Sequence, residues 1–321
     1  MPCMMPNRFV VTGSLAYDHL MRFGRPFREI LLPDQLHRLS VCFVVDAKER
    51  HFGGTAGNIG YNFSLLGELP LLVASVGRDF REYEERLSAQ GFSLDGIQVE
   101  PEVDTASAII MSDVEGNQIA QFHPGAMAMP FREEFSALQE AAEVLLIAPD
   151  DIQRNAYCIR FAQQNGRTYF WDPGQNLPYF SAADLIEFLK GATGLFLNDY
   201  ELALFLDKTG FSFAELTQQL ALLIVTHGER GSSIYENKEG EVTEIEIPIV
   251  PPQECHDPTG CGDAYRAGFL TGYAQGKSLL TCGQMGALLA TYVVENPGTQ
   301  NHRFTLGEFK TRYKEAFDAD L

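Results

Sequence analysis

The chain has 321 residues, 45% of them apolar, enough to bury a full core as one large domain or as a main domain with an appendage. Its formal net charge is −19, with acids spread along the whole chain; that field repels nucleic acid and anionic lipid, so an anionic ligand must be held by local backbone donors. No apolar run approaches the ~18 residues of a membrane span, and the start MPCMMPNRFV has neither the basic nor the apolar region of a leader, which predicts a cytoplasmic protein.

In chain order, six short apolar segments read as strands: RFVVTG (8–13), LLVASVG (71–77), EVLLIAP (143–149), TYFWDP (168–173), GLFLN (194–198) and LLIVTHG (222–228). Helical patterns separate them. Ile59, Phe63 and Leu66 share one helix face, as do Phe80, Tyr83 and Leu87 after an expected N-cap at Asp79, and Leu202, Phe205 and Leu206 after Asp199. Strands alternating with helices predict an α/β fold with a mostly parallel central sheet covered on both faces. Residues 15–52 and 103–124 break this rhythm with extended, turn-rich sequence such as SAIIMSDVEGNQIAQF. They are expected to form a small β-sheet appendage inserted in a single domain spanning 1–321. A hairpin, SSIYENKEGEVTEIEI, is predicted to turn near Glu239-Gly240.

A parallel sheet invites a nucleotide, yet the chain has no G-x-x-x-x-G-K-[ST], and its first strand ends in VTGSLAYD rather than in G-x-G-x-x-G. The stretch HDPTGCGDAYRAG, from His256 to Gly268, supplies another solution. A helix beginning near Gly262 leaves its first N–H groups unpaired, and the small residues Gly260, Cys261 and Gly262 let an anionic oxygen approach them. Asp263 then stands at the mouth of this anion hole, where it is either a general base for an attacking hydroxyl or a helix cap. The six cysteines, at positions 3, 42, 158, 255, 261 and 282, show no metal-ligand spacing with the seven histidines.

DPTGCGDAYRAG resembles the C-terminal signature of the ribokinase-like (PfkB) family of sugar and nucleoside kinases. FGGTAGNIGYNFSLLG (52–67), NDYE (198–201) and THGERG (226–231) resemble its other motifs in the family's order, so the resemblance spans nearly the whole chain. It implies a three-layer sandwich with the appendage as a β-sheet lid. It also implies an ATP-dependent kinase with Asp263 as catalytic base and the amides of 260–262 stabilising the transferring phosphoryl group. Asn198 and Glu201 would organise Mg2+ and its waters near ATP, though the same pair reads as an N-cap completed into a capping box. Thr226, Gly228 and Gly231 would line the ATP cleft. Gly53, Gly54, Asn58 and Asp18 would hold the acceptor's hydroxyls. Asp257 and Thr259, with the NPGTQ loop (296–300), resemble the family's monovalent-cation site, with K+ the expected ion. Pro258 and Cys261 depart from the family's usual Thr and Ala, and Cys261 beside an anion hole is expected to be acidic and oxidisable.

LLPDQLHRLSVCFVV, GNQIAQFHPGAM and WDPGQ resemble the bacterial adenosine-kinase-like branch of the family. That implies phosphorylation of a nucleoside 5′-hydroxyl, adenosine to AMP, with Phe122 the aromatic over the base or else a core residue of the lid. The lid would close over the site or clasp a second copy into a homodimer. The alternatives are a ribokinase- or fructokinase-like sugar kinase, and a silent family member that only binds.

Overall fold

The computed structural model describes residues 8–31, 37–38, 40–132 and 143–321. Strands β1 (Phe9–Thr12) and β8 (Val144–Ile147) show why the architecture is layered. Phe9, Val11, Val144 and Leu146 enter one core, while Val10, Leu145 and Ile147 enter a second core on the opposite face. A strand buried on both faces has to lie between two layers of helix.

The large sheet adds β4 (Leu71–Gly77), β5 (Ile97–Glu100), β9 (Thr168–Trp171), β10 (Gly194–Asn198), β11 (Leu222–Thr226), β12 (Ser232–Lys238) and β13 (Glu241–Ile247). Its order is β13-β12-β11-β10-β9-β8-β1-β4-β5, parallel except where β12 and β13 add antiparallel at one edge. On one face lie α1 (Thr55–Leu65), α2 (Arg81–Ala89), α7 (Cys261–Ala274), α8 (Leu279–Val294) and α9 (Leu306–Phe317). On the other lie α3 (Ile152–Gln164), α4 (Ala182–Leu189), α5 (Asp199–Thr209) and α6 (Phe213–Gln218). The expected faces are the buried ones: Ile59 and Phe63 of α1 and Tyr83 and Leu87 of α2 enter the first core, and Phe205 of α5 enters the second.

The second sheet has four strands in the order β3-β2-β6-β7, from β2 (Ala16–Arg22), β3 (Ala47–Gly53), β6 (Ala106–Ser112) and β7 (Gln118–His123). Only three residues separate β1 from β2, and Gly54 alone separates β3 from α1. The small sheet is therefore joined to the large one at the carboxyl end of β1, the end where open α/β sheets bind ligands. The β12–β13 hairpin turns on Glu239 and Gly240, whose φ values of 54° and 92° make the two-residue turn that matches strand twist.

Two local expectations differ from the structure. α2 begins after Phe80, with no side-chain cap; Asp79 instead accepts a hydrogen bond from the Thr105 amide at 2.7 Å and ties α2's entry to β6. β5 was not foreseen, because four residues with Val99 exposed carry no apolar signature. No helix among the described residues is long and apolar enough to cross a membrane. Cys3 and the stretch 32–36 of the LLPDQLHRLSVCFVV segment lie outside the described residues.

Candidate active site

The cap of α7 is Gly260, with φ 83° and no side-chain hydrogen bond to the helix's first amides. The Cys261 amide donates to the Pro258 carbonyl at 3.2 Å, and the amides of Gly262 and Asp263, at a helix start, have no partner within the helix and can face an anion. Glycine is needed here twice over: φ is left-handed, and a Cβ would lie 2.9 Å from the Thr299 side chain. Asp263 is not the cap. Its Oδ2 accepts a 2.8 Å hydrogen bond from Asn58 Nδ2, across from α1. Burial pushes its carboxyl up to about 7, against the Asn58 hydrogen bond and the charge of Arg266, which both favour the ionised form. A carboxylate poised near neutrality is suited to take a proton from a hydroxyl.

Arg266 lies one helical turn beyond Asp263. It is 7% exposed and paired with Asp172, itself 2% exposed, through a 2.8 Å hydrogen bond from Nη2 to Oδ1. Its Nη1 is turned toward the hole, 2.8 Å from where a Cβ on Gly262 would stand. Arg266 feels the charges of Asp172, Asp263 and Glu201, and so supplies the local cation for a cluster of acids in a strongly negative protein.

On the small sheet, Asp18 of β2 packs its carboxylate against Gly53, so close that no side chain fits there. Gly54, with φ 86°, turns the chain into α1. Burial raises the Asp18 carboxyl to about 6, with His51 working against the shift and Asp257 adding to it. The register places His51, Asp18, Ala108 and Phe122 directly opposite one another across β3, β2, β6 and β7. Directly opposed residues share a face, so Phe122 stands on the same face as Asp18, two strands and roughly 10 Å away. Phe122 is 52% exposed, which removes the reading of it as a core residue.

Asn198 and Glu201 form a reciprocal capping box at the start of α5, with both bonds at 2.8 Å. Burial and then the charge of Asp172 raise the Glu201 carboxyl. Asn198 is paired in register with Thr226, so the NDYE and THGERG motifs meet at the carboxyl ends of adjacent strands. In the second motif Gly228 faces open space, while Gly231, at φ 92°, approaches the Ile247 carbonyl. His227 and Arg230 both engage Asp199, which locks the loop to α5. The Asp257 carboxylate accepts from the Thr259 amide at 2.9 Å and folds the segment entering α7. Among the described residues no three His, Cys, Asp or Glu side chains form a metal cluster.

The expectation for Cys261 is corrected. Burial first, then the charges of Asp257, Cys255 and Asp263, raise its thiol to about 12, and Sγ points to the Ala290 carbonyl. The helix start is overruled by desolvation and surrounding acids, so the residue is not an acidic thiol. Sequence reasoning gave no site role to Asp172 or Arg266, set Tyr83 only on a helix face, and named Gln300 only as the last residue of the NPGTQ loop. Arg266 was within reach, since three positions beyond Asp263 lies on the same helix face. The others come together only through the fold.

The pfkB family carbohydrate kinase model matches residues 30–305. A nucleoside kinase of Methanocaldococcus jannaschii is 34% identical over 301 residues, 92% of this chain and 93% of that one. The nucleoside kinase of Burkholderia thailandensis in complex with inosine superposes with a TM-score of 0.84 at 34% identity, covering 97% of this chain and 99% of that one. In complex with ADP-inosine it gives 0.82 at 35% identity, with 97% of each chain covered. Ribokinase from Cryptococcus neoformans, at 22% identity and a TM-score of 0.78 over 95% of this chain and 99% of that one, shares the ribokinase-like fold. With these matches and its four motifs, the chain belongs to the pfkB family of carbohydrate kinases, ATP-dependent phosphotransferases that use a hydroxyl as acceptor.

Proposed function

We propose that this protein transfers the γ-phosphoryl group of ATP to the 5′-hydroxyl of a purine nucleoside, with adenosine as the first expectation. The observation that carries the nucleoside reading is the cross-strand row of the small sheet. It sets a hydroxyl acceptor, Asp18, and an exposed aromatic, Phe122, on one face at the span of a nucleoside. A free sugar uses only the first of these. The relatives named nucleoside kinases, one of them solved with inosine and with ADP-inosine, support the same class.

In this reading Asp18 accepts from the vicinal hydroxyls and Phe122 stacks on the base. Gly53 and Gly54 leave room for the sugar beside Asp18. Asp263 takes the proton of the 5′-hydroxyl as its oxygen attacks phosphorus in line, and the amides of Gly260 and Gly262 hold the phosphoryl oxygens, joined by that of Cys261 when it exchanges the Pro258 carbonyl for them. Arg266, lying against Gly262, adds a fixed positive charge without side-chain reorganisation. Thr226, Gly228 and Gly231 border the nucleotide. Asn198 and Asp257 shape the two segments around the phosphates, with Thr259 closing the turn into α7. Glu201 would hold an Mg2+ brought by ATP, which would supply charge neutralisation on the phosphates when bound, while Asp172 is engaged by Arg266.

Asp18 is the test of acceptor recognition. A buried acceptor left without its hydroxyl costs about 1–3 kcal/mol. Adenosine is therefore expected to exceed 2′-deoxyadenosine by at least about tenfold in kcat/KM, and Asp18→Ala to erase most of that preference. Equal loss on both substrates in Asp18→Ala would place Asp18 away from the ribose.

A further inference from the structure

A chain of buried hydrogen bonds runs from the small sheet to Asp263. Tyr83 of α2 donates its hydroxyl to the Gly53 carbonyl at 3.0 Å and accepts from Gln300 Nε2 at 2.8 Å. The same Nε2 group donates to Asn58 Oδ1 at 3.1 Å, and Asn58 Nδ2 donates to Asp263. Gln300 is 4% exposed, and its backbone is anchored by a 3.0 Å bond from Arg86 to its carbonyl. An amide has one donor end and one acceptor end. With its oxygen claimed by Gln300, Asn58 has only its NH2 group to offer the carboxylate.

We infer that Gln300 is a positioning residue for the phosphoryl transfer, fixing the Asn58 amide so that it donates to Asp263 and keeps that carboxylate aimed. The inference rests on the reading of Asp263 as the base. It gives the 296–300 loop a role beyond the cation site implied by resemblance. It also ties the base to Gly53, the residue against which Asp18 packs. Thr299 extends the tie, donating to the Phe52 carbonyl at 3.2 Å while its side chain packs over Gly260.

The pH profile of kcat/KM separates positioning from simple structural support. Besides Asn58 from α1, the groups that face Asp263 are Arg266 on its own helix, Asp172 at the end of β9 and Asp18 on β2. The Gln300 side chain hydrogen-bonds Asn58 and Tyr83 and none of these three. Gln300→Met removes the donor that fixes Asn58, so the acid limb is expected to move to higher pH by about half a unit to one unit. Asn58→Ala is expected to move it by about one unit, and the double variant no further than Asn58→Ala alone. Gln300→Glu, nearly the same size, serves if the Met variant folds poorly. Its carboxylate competes for the Asn58 NH2 group, so its upward shift must shrink in the Asn58→Ala background, whereas a shift from charge alone would persist in full. A rate loss equal at every pH, or a Gln300 shift that adds in full to that of Asn58→Ala, overturns the inference. Asp263→Asn, run alongside, reports on the base itself: if it keeps wild-type turnover, the base reading fails whatever Gln300 does.

Discussion

Asp263→Asn is expected to lower kcat by about 10²–10⁴ while leaving the melting temperature nearly unchanged. The large loss follows from removing the one carboxylate that sits at the free end of α7 with its pKa near neutrality. The small structural effect follows from three observations. Asn has the size of Asp, its carbonyl oxygen can still accept the Asn58 hydrogen bond, and Gly260 rather than Asp263 caps the helix. Steady-state turnover and a thermal melt on the same preparation check both halves. Near-normal turnover would remove Asp263 from the chemistry, and a large fall in melting temperature would show that it serves the fold.

Arg266→Met produces the largest expected loss of stability. The substitution leaves Asp172 charged, buried and alone in a site already holding Glu201 and Asp263, and breaking a buried pair from one side costs about 3–5 kcal/mol. Replacing both partners, Asp172→Leu with Arg266→Met, removes the stranded charge and is expected to restore most of the stability. Activity is not expected to return, because the cation beside Gly262 is still missing. Urea unfolding and ADP release, measured on the single and double variants, separate the two effects. A single variant as stable as the wild type, or a double variant with recovered turnover, contradicts this role.

The layered fold was legible because its strands are short, buried on both faces and spaced by helical patterns, as in Val10 and Val11 of β1, which enter opposite cores. The candidate base was legible because small side chains and a carboxylate follow one another at a helix start, from Gly260 to Asp263. The network around it was not. Gln300 and Asn58 are 242 positions apart, Asp172 and Arg266 are 94 apart, and no periodicity links such pairs before the sheet brings them together. Cys261 shows the complementary failure. Its local sequence argues for an acidic thiol, and only the folded surroundings, apolar and rich in acids, reverse the sign. Asn198 and Glu201 satisfied the local reading completely, as a capping box, and that geometry leaves their duty toward ATP to be tested in solution.

The central claim is that the small sheet selects a nucleoside and the α7 end phosphorylates it. ADP release with Mg2+ and ATP, over adenosine, inosine, guanosine, ribose and fructose and in potassium as well as sodium salts, tests it most directly. A purine nucleoside is expected to have the highest kcat/KM, both free sugars to be poor acceptors, and potassium to support the faster rate. A sugar turned over more efficiently than every nucleoside would contradict it.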